Sequence, residues 1–173
     1  PVTISNCSNN YGAYQFPEKL IPVIIMNILE AKPLPVYGDG KNIRDWLYVK
    51  DAVRGIDLVV TKSEPGETYN IAGRNEKENI EVVQYILNRL HKPDSLIQYV
   101  SDRPGHDRRY SIDDSKIREQ LGFTQLSSFK TNLDSTIDWY VSNKKWWKKI
   151  IDDDKDYHEF MVKWYEKRGL EVN

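Results

Sequence analysis

The chain reads as an α/β protein with a partly parallel sheet. Short β-branched or apolar runs recur at residues 2–5, 45–49, 68–71 and 96–100. Between them lie segments whose apolar residues repeat at helical spacing. Pro- and Gly-containing turns at Gly38-Asp39-Gly40, Pro65-Gly66 and Pro104-Gly105 separate the two kinds of segment. Strands that alternate with helices pack as helix layers on a sheet, so an α/β class follows.

In chain order, Val2-Thr3-Ile4-Ser5 is a short buried strand, and residues 6–14 are polar and turn-rich. Leu20, Ile21, Ile24, Ile25, Ile28 and Leu29 trace one helical stripe. Pro17 or Pro22 then falls near the helix start, where a missing amide is tolerated, and Pro33 and Pro35 end the helix. Val36-Tyr37 is a brief extended piece before the glycine turn. Residues 45–49 form a strand and 51–60 a helix. Pro65-Gly66 turns the chain into the strand Thr68-Tyr69-Asn70-Ile71, which Ala72-Gly73 closes. Ile80, Val83, Ile86, Leu87 and Leu90 form the stripe of another helix. Residues 96–100 make a strand. Asp113-Asp114-Ser115 opens a helix that Gly122 stops. Leu133, Ile137, Tyr140 and Val141 mark a further helix, and the Trp-, Lys- and Asp-rich tail from Lys144 is helical.

Composition narrows the function classes. The 173 residues suffice for a real core, and a net charge of −1 gives no general attraction to nucleic acid. Any anion site must therefore be local. A single cysteine, Cys7, excludes an internal disulfide and a cysteine-rich metal site, and fits a reducing compartment. The longest apolar run, residues 20–29, is too short to span a bilayer and contains Pro22 and Asn27. No signal peptide is visible. Pro1 is not a translation start, so the chain is expected to be a piece of a longer protein.

Some motif matches fail on geometry. Tyr37 and Lys41 are spaced as Tyr-x-x-x-Lys, but Gly38 and Gly40 between them do not support a helical turn. Tyr140 and Lys144 share the spacing with no nucleotide loop nearby. No Gly-x-Gly-x-x-Gly or Gly-x-x-Gly-x-x-Gly occurs, so no dinucleotide diphosphate loop is present. Asp152-Asp153-Asp154 points its carboxylates in different directions, and His91, His106 and His158 lack metal spacing. No metal site is expected.

Other segments combine into a binding chemistry. Asp102 to Tyr110 packs three arginines and a histidine around a Pro-Gly turn. The bend lets Arg103 and His106 point the same way, and a guanidinium fork suits phosphate oxygens. A solvated basic turn paired with local carboxylates is the alternative. Ser8-Asn9-Asn10-Tyr11-Gly12 follows directly from a strand, and in open α/β sheets ligands bind beyond the carboxyl ends of strands. Asn9 and Asn10 each donate and accept hydrogen bonds. Lys19 and Arg44 offer charge to a phosphate, and Pro35 with Tyr37 can wall in a flat ring. Turn capping, solvation and local ion pairs are the structural alternatives for each.

Together these blocks resemble one family. They are Ser8-Asn9-Asn10-Tyr11-Gly12, Phe16-Pro17-Glu18-Lys19-Leu20-Ile21-Pro22 and Leu34-Pro35-Val36-Tyr37-Gly38-Asp39-Gly40. Arg44-Asp45-Trp46-Leu47-Tyr48-Val49, Tyr69-Asn70-Ile71-Ala72-Gly73, Asn75-Glu76-Lys77 with Asn79, and residues 102–110 complete the set. In order and spacing they resemble the dTDP-glucose 4,6-dehydratases, a branch of the extended short-chain dehydrogenase/reductases, over residues 1 to about 147.

The resemblance implies a fold and a reaction. The fold is the C-terminal substrate-binding part of such an enzyme, with leftover Rossmann strands and helices near residues 1–8, 46–78 and 129–147. The N-terminal NAD-binding part, with the Tyr-x-x-x-Lys pair and the acidic dyad, is absent, so no catalytic residue is expected in this chain. The family oxidises dTDP-glucose at C4 with NAD, eliminates water across C5 and C6, and returns the hydride to C6. Homodimers in the cytoplasm, with neither nucleic-acid nor membrane partners, are implied.

Carried over by position, Asn9 contacts the sugar-nucleotide diphosphate and Asn10 the NAD. Lys19 and Leu20 line the site at a helix start. Pro35, Val36 and Tyr37 hold the thymine, Arg44 meets a phosphate and Asn79 the nucleotide. Arg103 and His106, with Asp102 beside them, take the diphosphate and ribose region, and Tyr165 matches a late family tyrosine. Ala13 stands where the family often has proline. Two further readings stay open: another nucleotide-sugar dehydratase, epimerase or decarboxylase of the same family, and a non-catalytic binding module.

Overall fold

A computed structural model of the chain describes residues 1–165. The chain divides into two units: one of Pro1–Gly12, Ile43–Lys77 and Arg109–Leu133, the other of Ala13–Asn42, Glu78–Arg108 and Asp134–Asn173.

The first unit is built on parallel strand pairs. Strand β1 (Ile4–Cys7) pairs with β5 (Thr68–Ile71) in the register Ile4 to Thr68 and Cys7 to Ile71. Strand β2 (Asn9–Tyr11) pairs with β4 (Ile43–Tyr48), setting Asn9 opposite Trp46 and Tyr11 opposite Tyr48. Strand β6 (Glu76–Glu78) also pairs with β4, and β8 (Arg109–Tyr110) joins β4 in parallel at Ile43 and Arg44. Helices α2 (Val49–Lys62) and α4 (Ser115–Leu121) pack on β5 and on each other. Their apolar faces, with Leu47, Tyr69, Ile71 and Phe123, form this unit's core. Gly55 lets α2 approach the sheet, because a Cβ there would lie 2.7 Å from Ile71 Cγ2.

In the second unit, α1 (Leu20–Leu29) is buried from Ile21 to Ile28. A helix that is apolar all round belongs inside. It packs on β3 (Leu34–Tyr37) and on α3 (Asn79–Arg89). A reciprocal capping box between Glu78 and Glu81 starts α3. A 3₁₀ turn at Asp94–Leu96 leads into β7 (Ile97–Val100), which pairs in parallel with β3 from Leu34–Ile97 to Tyr37–Val100. Helix α5 (Phe129–Ser142) enters this unit at Asp134, and α6 (Lys144–Asp153) and α7 (Lys155–Trp164) follow it.

The structure shifts several sequence expectations. The first strand runs from Ile4 rather than Val2, and the stretch read as turn-rich carries β2 and the end of β1. Pro17 lies ahead of α1, while Pro22 is its third residue, inside the first turn where no amide partner is needed. Strand β4 begins at Ile43 and α2 extends to both sides of the expected span. Strands β6 and β8 were not expected at all.

Candidate functional site: two groups of polar and aromatic residues

In the second unit, the β3–β7 pairing builds the site from the backbone up. Tyr37 stands opposite Val100, and the amide of Gly38 donates to the Val100 carbonyl at 2.9 Å. The turn after β3 therefore lies against the start of the loop that follows β7. Gly40, at φ 73°, sits so tightly that a Cβ would meet Ile80 and Val36 at 2.9 Å. The amides of Asn79 and Ile80 donate to the carbonyls of Asn42 and Gly40, at 3.0 and 2.9 Å, which brings the start of α3 to the same turn.

The loop of residues 101–108 is held by its own acids. His106 N–H to Arg103 carbonyl (3.3 Å) closes the Pro104-Gly105 turn, with Gly105 at φ 68°. The Asp102 carboxylate accepts the Arg103 amide at 2.8 Å and meets His106 Nδ1 at 2.6 Å. Arg108 reaches Asp39 through a two-pronged contact at 2.7 and 3.1 Å. That guanidinium, followed by the Lys41 amide, lowers the Asp39 pKa to about 2. The His106 side chain is only 6% exposed, and its ring stands edge-on to Tyr37, 5.9 Å between centroids. Tyr165 stacks on Tyr37 at 5.6 Å with an interplanar angle of 12°. Burial, then Tyr37, Tyr157 and the Glu18 charge, push the Tyr165 hydroxyl far above the ordinary phenol range. Glu18 in turn pairs with Lys19 at 2.5 Å, just ahead of the half-buried Leu20.

This unit thus gathers Pro35, Val36, Tyr37, Asn79, Asp102, His106 and Tyr165 around one turn and one loop. Pro35 and Val36 are buried, and the Arg103 side chain lies on the exposed side of the loop. Asn79 Oδ1 is buried with no hydrogen-bond partner. Buried side-chain polar atoms are normally paired, so this one is available to a ligand.

The first unit holds the remaining residues. Asn9 Oδ1 and, across the strand pair, Trp46 Nε1 are likewise buried without a partner. Asn10 Nδ2 donates to the Ser8 carbonyl at 3.0 Å. Arg44, 8% exposed, donates to the Ile43 carbonyl at 2.6 Å from β4. Sequence reading missed the group that holds these strands in place. Asp45, 1% exposed, accepts the amides of Gly73 at 2.9 Å and Asn75 at 2.7 Å, and the Ser8 hydroxyl accepts from Gly73 at 3.4 Å. Gly73 has no room for a side chain, since a Cβ would fall 1.9 Å from the Trp46 carbonyl oxygen. The only hint in the sequence was the acid between Arg44 and Trp46.

The rejected Tyr-x-x-x-Lys pairs are occupied otherwise. Gly38 and Gly40 both have positive φ in a turn, so Tyr37 and Lys41 are not on a helix. Tyr140 donates to the Gln15 carbonyl at 2.6 Å, and Lys144 pairs with Glu30 at 2.7 Å from the next helix. Among the described residues, no group of three or more His, Cys, Asp or Glu is placed to hold a metal ion. None of their helices is long and apolar enough to cross a membrane. A cavity of about 460 Å³ in the first unit is lined by Asp45, Arg74, Glu76 and residues 111–114. Its charges are mostly matched, Arg74 with Asp114 and Glu76 with Arg109.

Parallel strands with helical crossovers, and polar residues at their ends, make this a mixed α/β protein of Rossmann-like type. The chain belongs to the GDP-mannose 4,6 dehydratase family, whose model matches residues 1–136. The dTDP-glucose 4,6-dehydratase of Escherichia coli is 55% identical over 163 residues, which are 88% of this chain and 45% of that protein. That of Neisseria meningitidis is 52% identical over 162 residues, 87% of this chain and 46% of that protein. Among solved structures, the Bacillus anthracis dTDP-glucose 4,6-dehydratase in complex with NAD superposes with a TM-score of 0.83 at 49% identity. It covers 87% of this chain and 48% of its own. The Streptomyces venezuelae enzyme with NAD and TYD bound gives 0.84 at 44% identity, covering 86% and 46%. The chain spans about half the length of the curated relatives it matches.

Proposed function

We propose that this chain is the nucleotide-sugar-binding part of an NAD-dependent dTDP-glucose 4,6-dehydratase. The observation that carries the reading is the convergence of Tyr37, Asn79, Asp102 and His106 on the turn that follows β3. An aromatic wall beside a histidine suits a flat base and the sugar attached to it. The relatives named above are dTDP-glucose 4,6-dehydratases, 55% and 52% identical over 88% and 87% of this chain.

The roles follow from chemistry. Tyr37, backed by Pro35 and Val36, stacks against the thymine. His106, steadied by Asp102 at Nδ1, presents its other ring nitrogen as an acceptor to a ribose hydroxyl. Arg103, exposed on the loop, adds charge for a diphosphate, and in the first unit Arg44 offers its charge to a phosphate. Lys19 and Leu20 line the α1 end of the site, and Tyr165 closes over Tyr37. Asn79 and Asn9 each offer a buried amide whose oxygen and nitrogen exchange places by a half-turn, so either orientation leaves a polar atom for the ligand. Asn10, tied back to Ser8, is the residue of this chain that would touch NAD. The orphaned atoms of Asn9 and Trp46 near it fit a polar ligand at the ends of β2 and β4.

NAD supplies hydride acceptance from C4 of the glucose and its return to C6. The residues here bind and orient the nucleotide so that the sugar is held still while its C5 proton, acidified by the neighbouring ketone, and the C6 hydroxyl depart as water. By itself the chain is expected to bind dTDP without turnover. The reading carries with it a homodimer in the cytoplasm. A UDP-glucuronic acid 4-epimerase from Bacillus cereus shares the fold at a TM-score of 0.77 but only 25% identity, which favours the dehydratase over the epimerase.

Calorimetry of the chain with dTDP tests the proposal, alongside product analysis of the whole enzyme with dTDP-glucose. Binding and a 4-keto-6-deoxyglucose product are expected. Absence of dTDP binding to both the chain and the whole enzyme would overturn it, and a product epimerised at C4 would transfer the chain to the other activity.

A further inference from the structure

We propose that Tyr14, Trp139 and Trp146 form an aromatic clamp that positions residues 13–19, and through them Lys19 and the first turn of α1, for ligand binding. The inference rests on the reading above for its ligand, and on geometry of the second unit for everything else.

Tyr14 has a φ of 62°. That left-handed conformation favours glycine, and a bulky side chain there persists only when its surroundings impose it. Nothing buries it, since Tyr14 is 67% exposed. What holds it is ring contact. Its centroid lies 4.5 Å from that of Trp139 and 5.4 Å, edge-on, from that of Trp146. The two indoles themselves meet at 5.1 Å. Aromatic pairs at such distances and tilts attract beyond the area they bury.

The indoles are fixed before they meet Tyr14. The side chain of Asn143 donates to the Trp139 carbonyl at 2.8 Å and the Trp146 amide to the Asn143 carbonyl at 3.0 Å, which sets the corner between α5 and α6. Next to the clamp, the Tyr140 hydroxyl donates to the Gln15 carbonyl at 2.6 Å. Burial holds that phenol far above its ordinary pKa, so it stays a donor. Beyond, the Lys19 amide donates to the Phe16 carbonyl at 3.3 Å and Val23 donates to the Lys19 carbonyl at 2.9 Å, where α1 begins. Residues 13–19 contain neither helix nor strand. The clamp and the Gln15 bond link this segment to the α5–α6 corner, ahead of Lys19.

The test uses Tyr14→Phe, Tyr14→Leu and Tyr14→Gly in the 173-residue chain. Amide hydrogen exchange over residues 13–19, dTDP affinity by calorimetry and the melting temperature are read in parallel. Tyr14→Phe keeps the ring and should match the parent in all of them. Tyr14→Leu should raise exchange across the segment and weaken dTDP by about tenfold, with the melting temperature unchanged. Tyr14→Gly, which relieves the backbone but removes the ring, should be at least as loose as Tyr14→Leu. Parent-like exchange in Tyr14→Leu, or equal loosening in Tyr14→Phe, would overturn the clamp. Raised exchange with unchanged dTDP affinity would overturn its positioning role. If neither the parent chain nor the whole enzyme binds dTDP, the proposed function fails on its own, and the clamp still stands or falls on the exchange of the three variants.

Discussion

Asp45 and Asp102 do the same chemistry in the two units and show what burial makes of it. Each carboxylate gathers two donors. Asp45 takes the amides of Gly73 and Asn75 inside the first unit, 1% exposed. Asp102 takes the Arg103 amide and the His106 ring on a loop, with its side chain 39% exposed. A buried carboxylate that loses its place leaves amides with no water to replace it, so Asp45 is framework. An exposed one shapes a loop that water can re-solvate, so Asp102 spends its bond on aiming His106 instead.

That contrast can be broken at its strongest point first. Gly73→Ala drives a Cβ into the Trp46 carbonyl and should cost about 4 kcal/mol, seen as a fall of about 10 °C in melting temperature or as loss of soluble protein. A parent-like melt would show that the β4 framework yields. Asp45→Ala should cost about 3 kcal/mol in denaturant unfolding, because two buried amides lose their acceptor. His106→Ala should cost less stability than Asp45→Ala and weaken dTDP by about 10- to 100-fold, as a ligand partner would. Equal stability losses for Asp45→Ala and His106→Ala would erase the distinction between framework and site.

The smallest effect concerns the tether beside the loop. The Asp39 pKa is depressed to about 2 by Arg108, from an ordinary value of 3.8. A depressed carboxyl contributes fully above 3.8 and loses its contribution as pH falls through 2. An NMR titration of the Asp39 carboxyl should find its midpoint near 2, moving back toward 3.8 in Arg108→Met. Both side chains are exposed at the surface, so the denaturation midpoint at neutral pH should not move measurably in that variant.

The sequence showed the helices by period and the long strands by composition. Leu20 to Leu29 and Ile80 to Leu90 carry stripes that no other structure explains, and Thr68-Tyr69-Asn70-Ile71 became β5 unchanged. Strands β2, β6 and β8 escaped for one reason. Asn-Asn-Tyr, Glu-Lys-Glu and Arg-Tyr have no strand preference of their own and are strands only because β4 pairs with them. The candidate site residues were legible only as residue types at family spacing. Which groups Asp45 holds, and that Glu18 pairs with Lys19, were not.

What the chain's order of residues determined by itself was local: where helices begin, where glycine must turn the backbone, and which side-chain types, such as guanidinium and phenol, are on offer. Contacts across 30 to 125 positions decided the rest, from Asp45 on Asn75 to Tyr140 on Gln15. The physical reason is that a hydrogen bond or a ring contact forms between neighbours in space, and only the packed strands and helices make distant residues neighbours.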